Sequence, residues 1–141
     1  DEQAVFYRTT TKPHTQDAEF DVDSVHTLPR VDIAYAYAGA DGLLVRALVD
    51  AGVAGIVAGG LGSGGSPSKM MAALKAAAQS GVPVVIATQT GNGRVVRTRR
   101  YDEDGYIVAD NLSPKKTRIL LMMALTKTKD PEEIQRMMLT Y

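Results

Sequence analysis

Gly59-Gly60-Leu61-Gly62-Ser63-Gly64-Gly65-Ser66-Pro67 is the stretch of this chain whose residue types and spacing best suit binding chemistry. Glycines without a Cβ tolerate positive φ and let a ligand approach main-chain N–H groups. Ser66-Pro67 is a helix-start signal, and the first N–H groups of a helix have no partner within it. A small polar ligand fits such a place, although a plain strand-to-helix connection has the same composition. Two further polar turns, Tyr37 to Asp41 and Thr88 to Gly93, add Asp41, Thr88, Thr90 and Asn92 to Ser63 and Ser66. The set holds no evident nucleophile and base pair, so the chemistry it suggests is binding.

These turns need elements to hold them. Val31 to Ala38, Gly55 to Ala58 and Val82 to Ala87 are near-continuous apolar runs of strand length, the pattern of a parallel sheet covered on both faces. Between them the spacing predicts helices. One is capped by Asp41, has Leu44, Ala47, Leu48 and Ala51 inward, and ends at Gly52; another runs from Pro67 to Ser80 with Met70, Leu74 and Ala77 inward. Right-handed crossovers then bring the three turns to one sheet edge, the carboxyl ends of the strands, where open α/β sheets bind ligands. Gly105 to Ala109 reads as a short last strand. Two helices close the chain: one starts at Ser113-Pro114 and presents Ile119, Leu120, Met123 and Ala124, and the other starts at Asp130-Pro131-Glu132-Glu133, a capping box, and presents Ile134, Met137, Met138 and Tyr141. The expected fold class is α/β, three-layered and Rossmann- or flavodoxin-like, with a mostly parallel sheet of about four strands.

Composition excludes several functions. With 141 residues, 45% hydrophobic and 23% charged, the chain can bury a real core. Sixteen basic residues balance sixteen acidic ones, so no overall field draws it to nucleic acid or an anionic membrane. No apolar run approaches the length of a membrane span, and Asp1 to Val5 has no signal-peptide character. Cysteine is absent, and His14 and His26 have no partners at ligand spacing, so a metal site is not expected. The arginines from Arg94 to Arg100 and the acids Asp102 to Asp104 read as solvated loop charges that partly pair with one another, and the paired methionines as core filler.

Gly60-Leu61-Gly62-Ser63-Gly64-Gly65 satisfies the G-x-G-x-x-G dinucleotide pattern, after a strand and before a helix. The acidic residue that should follow about 20 positions on is missing from Ala87-Thr88-Gln89, and Ser66 stands where a phosphate-binding loop needs lysine. A stand-alone nucleotide-binding or regulatory module is therefore the second reading.

The leading reading comes from an ordered series of segments: Tyr7-Arg8, Lys12-Pro13-His14-Thr15, Phe20-Asp21-Val22, Leu28 to Tyr35 with Tyr37-Ala38, and Ala47 to Gly52 leading to Gly55-Ile56-Val57. It continues through Leu112 to Arg118, Ala124 to Asp130, Ile134-Gln135 and Tyr141. Together they resemble the C-terminal domain of bacterial type II L-asparaginases. The resemblance implies residues 1–30 as an arm and interdomain linker, with a strand at Val5 to Thr10, and 31–141 as the α/β domain. It implies a parent amidohydrolase that converts L-asparagine, or L-glutamine, to the acid and ammonia through a threonine acyl-enzyme, without a cofactor. The catalytic threonines belong to a larger N-terminal domain, so no catalytic residue is expected here, and this chain alone is expected to be inactive. The family's C-terminal domain lends a wall to a neighbouring subunit's active site within a tetramer built as a dimer of dimers. The substrate-binding residues implied are Ser63, Gly65 and Ser66 of the glycine loop and an acid that falls near Arg100 or on Glu103. The asparagine often found in the loop is replaced by Gly65, and loss of a charged partner for the substrate ammonium would cost about 1.5–3 kcal/mol. The type II resemblance also implies a periplasmic or secreted location.

Overall fold

The structure, a computed structural model, describes residues 10–141; the strand expected at Val5 to Thr10 lies, but for Thr10, outside them. Four strands, β1 (Val31–Tyr35), β2 (Gly55–Gly60), β3 (Val84–Thr88) and β4 (Ile107–Val108), form one parallel sheet in the order β1-β2-β3-β4. Register pairs Val31 with Gly55, Ile56 with Val84 and Val85 with Ile107. The three-layer α/β class expected from the apolar runs is the one observed. Strand order rises without reversal, so successive right-handed crossovers lay α1 (Leu43–Asp50) and α2 (Ser68–Gln79) on one face. The opposite face is covered by α4 (Pro114–Leu125) and α5 (Pro131–Thr140), which follow the last strand.

Two cores result. Ile56, Ala58, Val84 and Ile86 face Val45, Leu48, Met70, Leu74 and Ala77 on the crossover side. Val57, Val85, Ala87 and Ile107 face Leu121, Met122, Ile134, Met137 and Met138 on the other. Alternation along each strand sends neighbours to opposite sides, and because both sides are covered every residue of β2 and β3 is buried. Full burial of each large aliphatic side chain contributes about 1.5–3 kcal/mol.

α2 and α5 bury the residues the spacing predicts, Tyr141 apart, which is half-buried, and α5 adds Gln135. The faces expected for α1 and α4 are rotated. α1 buries Val45 and Leu48 while Leu44 is 49% exposed, and α4 buries Thr117, Leu121 and Met122 as well as Ala124, while Ile119 is 52% exposed. The reason in α1 is its start. Gly42, not Asp41, takes the N-cap position at φ +86°, although Asp41 Oδ1 accepts from the Leu43 N–H at 2.9 Å, and a Cβ on Gly42 would meet the Ala73 Cβ at 2.7 Å. That close approach to α2 turns Val45, rather than Leu44, inward. Between β3 and β4 the structure also forms a five-residue helix, α3 (Arg99–Glu103), where loop was expected; Thr98 caps it through Tyr101.

Candidate ligand-binding rim

The carboxyl ends of β1, β2 and β3 carry the three turns singled out above. The glycine turn closes on itself: Leu61 and Gly65 exchange backbone hydrogen bonds of 2.7 Å each way, and the Gly64 N–H donates to the Leu61 carbonyl at 3.0 Å. Space forces glycine at two positions. A Cβ on Gly60 would lie 2.2 Å from the Gly64 carbonyl oxygen, and one on Gly64, at φ +97°, would lie 2.6 Å from Ile86. Because the Gly64 and Gly65 N–H groups are already paired within the turn, they are not free to cradle a phosphate. Among the described residues the sheet also shows no strand-order reversal of the kind that opens a dinucleotide crevice. Both facts weigh against nucleotide binding.

Helix α2 begins one residue later than its sequence signal. Pro67 occupies the N-cap position with no side-chain cap, and the buried Ser66 hydroxyl has no hydrogen-bond partner among the described residues. Ser66 and Ser68 line an open cleft of about 560 Å³ between α2 and α3, which Lys75, Arg100, Glu103 and Asp104 also line. Two of the four expected binding residues, Ser66 and Glu103, are thus brought to one cleft. The other two, Ser63 and Gly65, are exposed on the same glycine turn outside that lining.

Of the four charged residues of the cleft, Lys75, Glu103 and Asp104 are paired and Arg100 has no ion pair among the described residues. Arg99 holds Glu103 at 2.8 Å one helical turn away, with both side chains largely exposed, so the pair is weak and Glu103 can exchange it for another cation. Lys75 is 2.6 Å from Asp104. The Tyr106 hydroxyl donates to the Met71 carbonyl at 2.9 Å, and burial, with Asp104 adding to it, pushes its pKa up to about 12; it stays a neutral donor across the physiological range. The basic and acidic runs pair partly with one another, as expected, through Arg97 with Asp102 and Arg99 with Glu103, but Arg94 turns to Asp110 and Arg97 also reaches Glu132. Among the described residues no cluster of acids and histidines could hold a metal, and no helix is long and apolar enough to cross a membrane.

One polar residue expected to face a ligand does something else. Thr88 is buried and spends its hydroxyl on the Gly62 carbonyl, and its neighbour Gln89, overlooked in the sequence, ties the exits of β1 and β2. The only sequence signal for either is a polar residue at the very end of a buried strand.

Similarity to known proteins bears on the same elements. The chain is 39% identical to L-asparaginase 2 of Escherichia coli (strain K12) over 138 residues, 96% of this chain and 40% of that protein. It is 39% identical to the glutaminase-asparaginase of Pseudomonas fluorescens biotype A over 142 residues, 99% of this chain and 39% of that protein. The chain therefore spans about two fifths of the length of the curated relatives it matches. A crystal structure of a probable cytoplasmic L-asparaginase from Campylobacter jejuni superposes with a TM-score of 0.93 at 38% identity, over 99% of this chain and 45% of that one. That match corrects the periplasmic or secreted location: a protein named as probably cytoplasmic shares this fold over 99% of the chain, so likeness in this domain carries no address. Residues 30–138 match the glutaminase/asparaginase C-terminal domain, and the chain belongs to that family, as the C-terminal domain of a bacterial type II asparaginase/glutaminase protein.

Proposed function

We propose that this chain is the non-catalytic portion of an amidohydrolase that releases ammonia from L-asparagine or L-glutamine. In this reading residues 1–30 form the arm and linker, 31–141 form the domain, and the rim completes the active site of a neighbouring subunit in a homotetramer. Glu103 would meet the substrate ammonium, and Ser63, Gly65 and Ser66 would line the wall beside it. The observation that supports this best is the cleft that gathers Ser66 and Glu103 from separate elements, with Glu103 held by an exposed, exchangeable arginine. Relatives named for both amides support the substrate class.

The test is ammonia release from asparagine and glutamine by the natural-length gene product that carries this chain. Activity is expected there and none from the 141 residues alone. In the natural-length protein, Glu103→Gln should raise KM about tenfold or more, the effect of losing a charge-assisted contact. Turnover by the isolated chain, or an unchanged KM in the variant, would sink the proposal.

A further inference from the structure

Thr88 and Gln89, the last residue of β3 and the next, tie all three rim turns together. The Thr88 hydroxyl donates to the Gly62 carbonyl of the glycine turn and accepts from the Thr90 N–H at 3.0 Å. Gly93, at the far end of the third turn, packs so closely on Thr88 that a Cβ there would lie 2.6 Å from Thr88 Cγ2 and 2.9 Å from its Oγ1. The Gln89 N–H donates to the Gly60 carbonyl at 2.9 Å. Its side-chain amide donates to the Ala36 carbonyl at 2.8 Å and the Gly59 carbonyl at 3.3 Å. One residue thus fixes the glycine turn against the third turn, and the other fixes the exits of β1 and β2.

The turn's own hydrogen bonds, between Leu61 and Gly64 and Gly65, define its shape but not the side it shows to a ligand. Gly62 sits at φ +53° and, as a glycine, can also adopt negative φ, so no Cβ stops the Gly62–Ser63 peptide from turning over. What holds it is the bond from Thr88. We infer that Thr88 is a positioning residue: its hydroxyl orients the Gly62–Ser63 peptide and, through it, the face that Ser63 and Gly65 present. Gln89 separately sets the spacing of the β1 and β2 exits. Thr88 is 2% exposed, so its influence on binding passes through the turn.

The inference rests on the reading of the rim as part of an amide-binding site, and two readouts keep the two apart. Hydrogen exchange and steady-state kinetics would be measured on the natural-length protein with Thr88→Val, Thr88→Ser and Gln89→Ala. Thr88→Val should accelerate exchange at Gly64 and Gly65 about fivefold or more, the scale of one lost hydrogen bond, while Ile56 to Ala58 in the sheet stay protected. KM should rise by a similar factor with kcat changed less than about twofold, and Thr88→Ser, which keeps the hydroxyl, should restore both. Gln89 is exposed, so its truncation spares the core; Gln89→Ala should loosen Ala36 to Ala40 and leave Gly64 and Gly65 protected. Unchanged exchange in Thr88→Val, failure of Thr88→Ser to restore it, or equal loosening of sheet and turn would overturn the inference. An inactive protein whose turn still loosened in Thr88→Val and recovered in Thr88→Ser would sink the amidase reading and leave Thr88 as the residue that holds the turn.

Discussion

The side-chain amide of Gln135 in α5 hydrogen-bonds both main-chain groups of Val108 in β4, accepting from its N–H at 2.9 Å and donating to its C=O at 3.1 Å. Among the described residues β4 is the edge of the sheet, only two residues long, and no strand lies beyond Val108. A glutamine that is 3% exposed imitates the missing neighbour and satisfies groups that burial would otherwise leave unpaired.

Replacing it should therefore be costly out of proportion to its size. Gln135→Leu keeps the volume and orphans two buried main-chain groups, an expected loss of about 2–4 kcal/mol. Gln135→Glu keeps the acceptor, loses the donor and buries a charge, and should be at least as damaging near neutral pH. Urea titration of both variants is the measurement; losses under about 0.5 kcal/mol would show that water serves Val108 as well as Gln135 does.

The glycine turn offers a paired contrast. Gly62 and Gly64 both adopt positive φ, but a Cβ on Gly62 meets nothing within 4 Å whereas one on Gly64 meets Ile86 at 2.6 Å and Val95 at 3.2 Å. Gly62→Ala should cost about 1 kcal/mol for the left-handed conformation alone. Gly64→Ala should cost upwards of about 2–3 kcal/mol, because strain and overpacking of a buried site add. Thermal denaturation of the two variants ranks them, and equal losses would mean that the turn moves away from the sheet at little cost.

How much of this was legible beforehand follows the kind of interaction involved. The strands and the inward faces of α2 and α5 show in the sequence because burial repeats along a chain, and repetition is what spacing reveals. The face of α1 does not, because Leu43, Leu44 and Val45 are consecutive and the close approach of Gly42 to Ala73, which no spacing reveals, accompanies the inward turn of Val45. α4 is misleading for the same reason, since Ile119 to Ala124 is apolar without a break. Ser66 and Glu103 could be named from the family resemblance, yet their shared cleft depends on α3, a helix with no periodic signal. Thr88, Gln89 and Gln135 were the least legible: each is a single polar residue whose partner is a main-chain group remote in sequence, and no spacing rule points to a carbonyl.

Acid should act first on the ion pairs that link distant segments. Arg97 donates two hydrogen bonds to Glu132, at 2.6 and 3.0 Å, and one to Asp102 at 2.6 Å. The Arg97 hydrogen bonds hold the Glu132 carboxyl below the usual carboxylate range. A carboxylate depressed in the folded state stabilises the fold fully above its unfolded pKa, about 4.3 for glutamate, and that contribution fades as pH falls through the lower folded value. Glu132→Gln should therefore lower the melting temperature slightly at neutral pH and flatten its decline below that point. Melting curves of the two proteins that run parallel from neutral pH to pH 3 would contradict this. At the alkaline end Tyr106 acts with the opposite sense: its raised folded pKa leaves stability intact below about 10 and erodes it up to about 12, as the unfolded state loses the phenolic proton first.

The segment leading into the sheet is clasped by the end of the chain. The Tyr141 hydroxyl accepts from the Glu19 N–H at 2.7 Å, and its ring packs on Phe20 with centroids 5.3 Å apart. Arg136 reaches the Glu19 carboxylate at 2.7 Å, and the Lys127 ammonium donates to the Glu19 carbonyl and lies 5.6 Å from the centre of the Phe20 ring. None of these groups belongs to the sheet, so breaking them should open the segment locally before the domain unfolds. Tyr141→Phe removes only the hydrogen bond and should weaken the clasp by about 0.5–1.5 kcal/mol; Tyr141→Ala removes the ring contact too and should weaken it further. Limited proteolysis between Ala18 and Thr27 reads the opening directly. Cleavage there should speed up in the order wild type, Tyr141→Phe, Tyr141→Ala while the urea midpoint of the domain shifts little, and identical cleavage rates would mean that Arg136 and Lys127 hold the segment without the tyrosine.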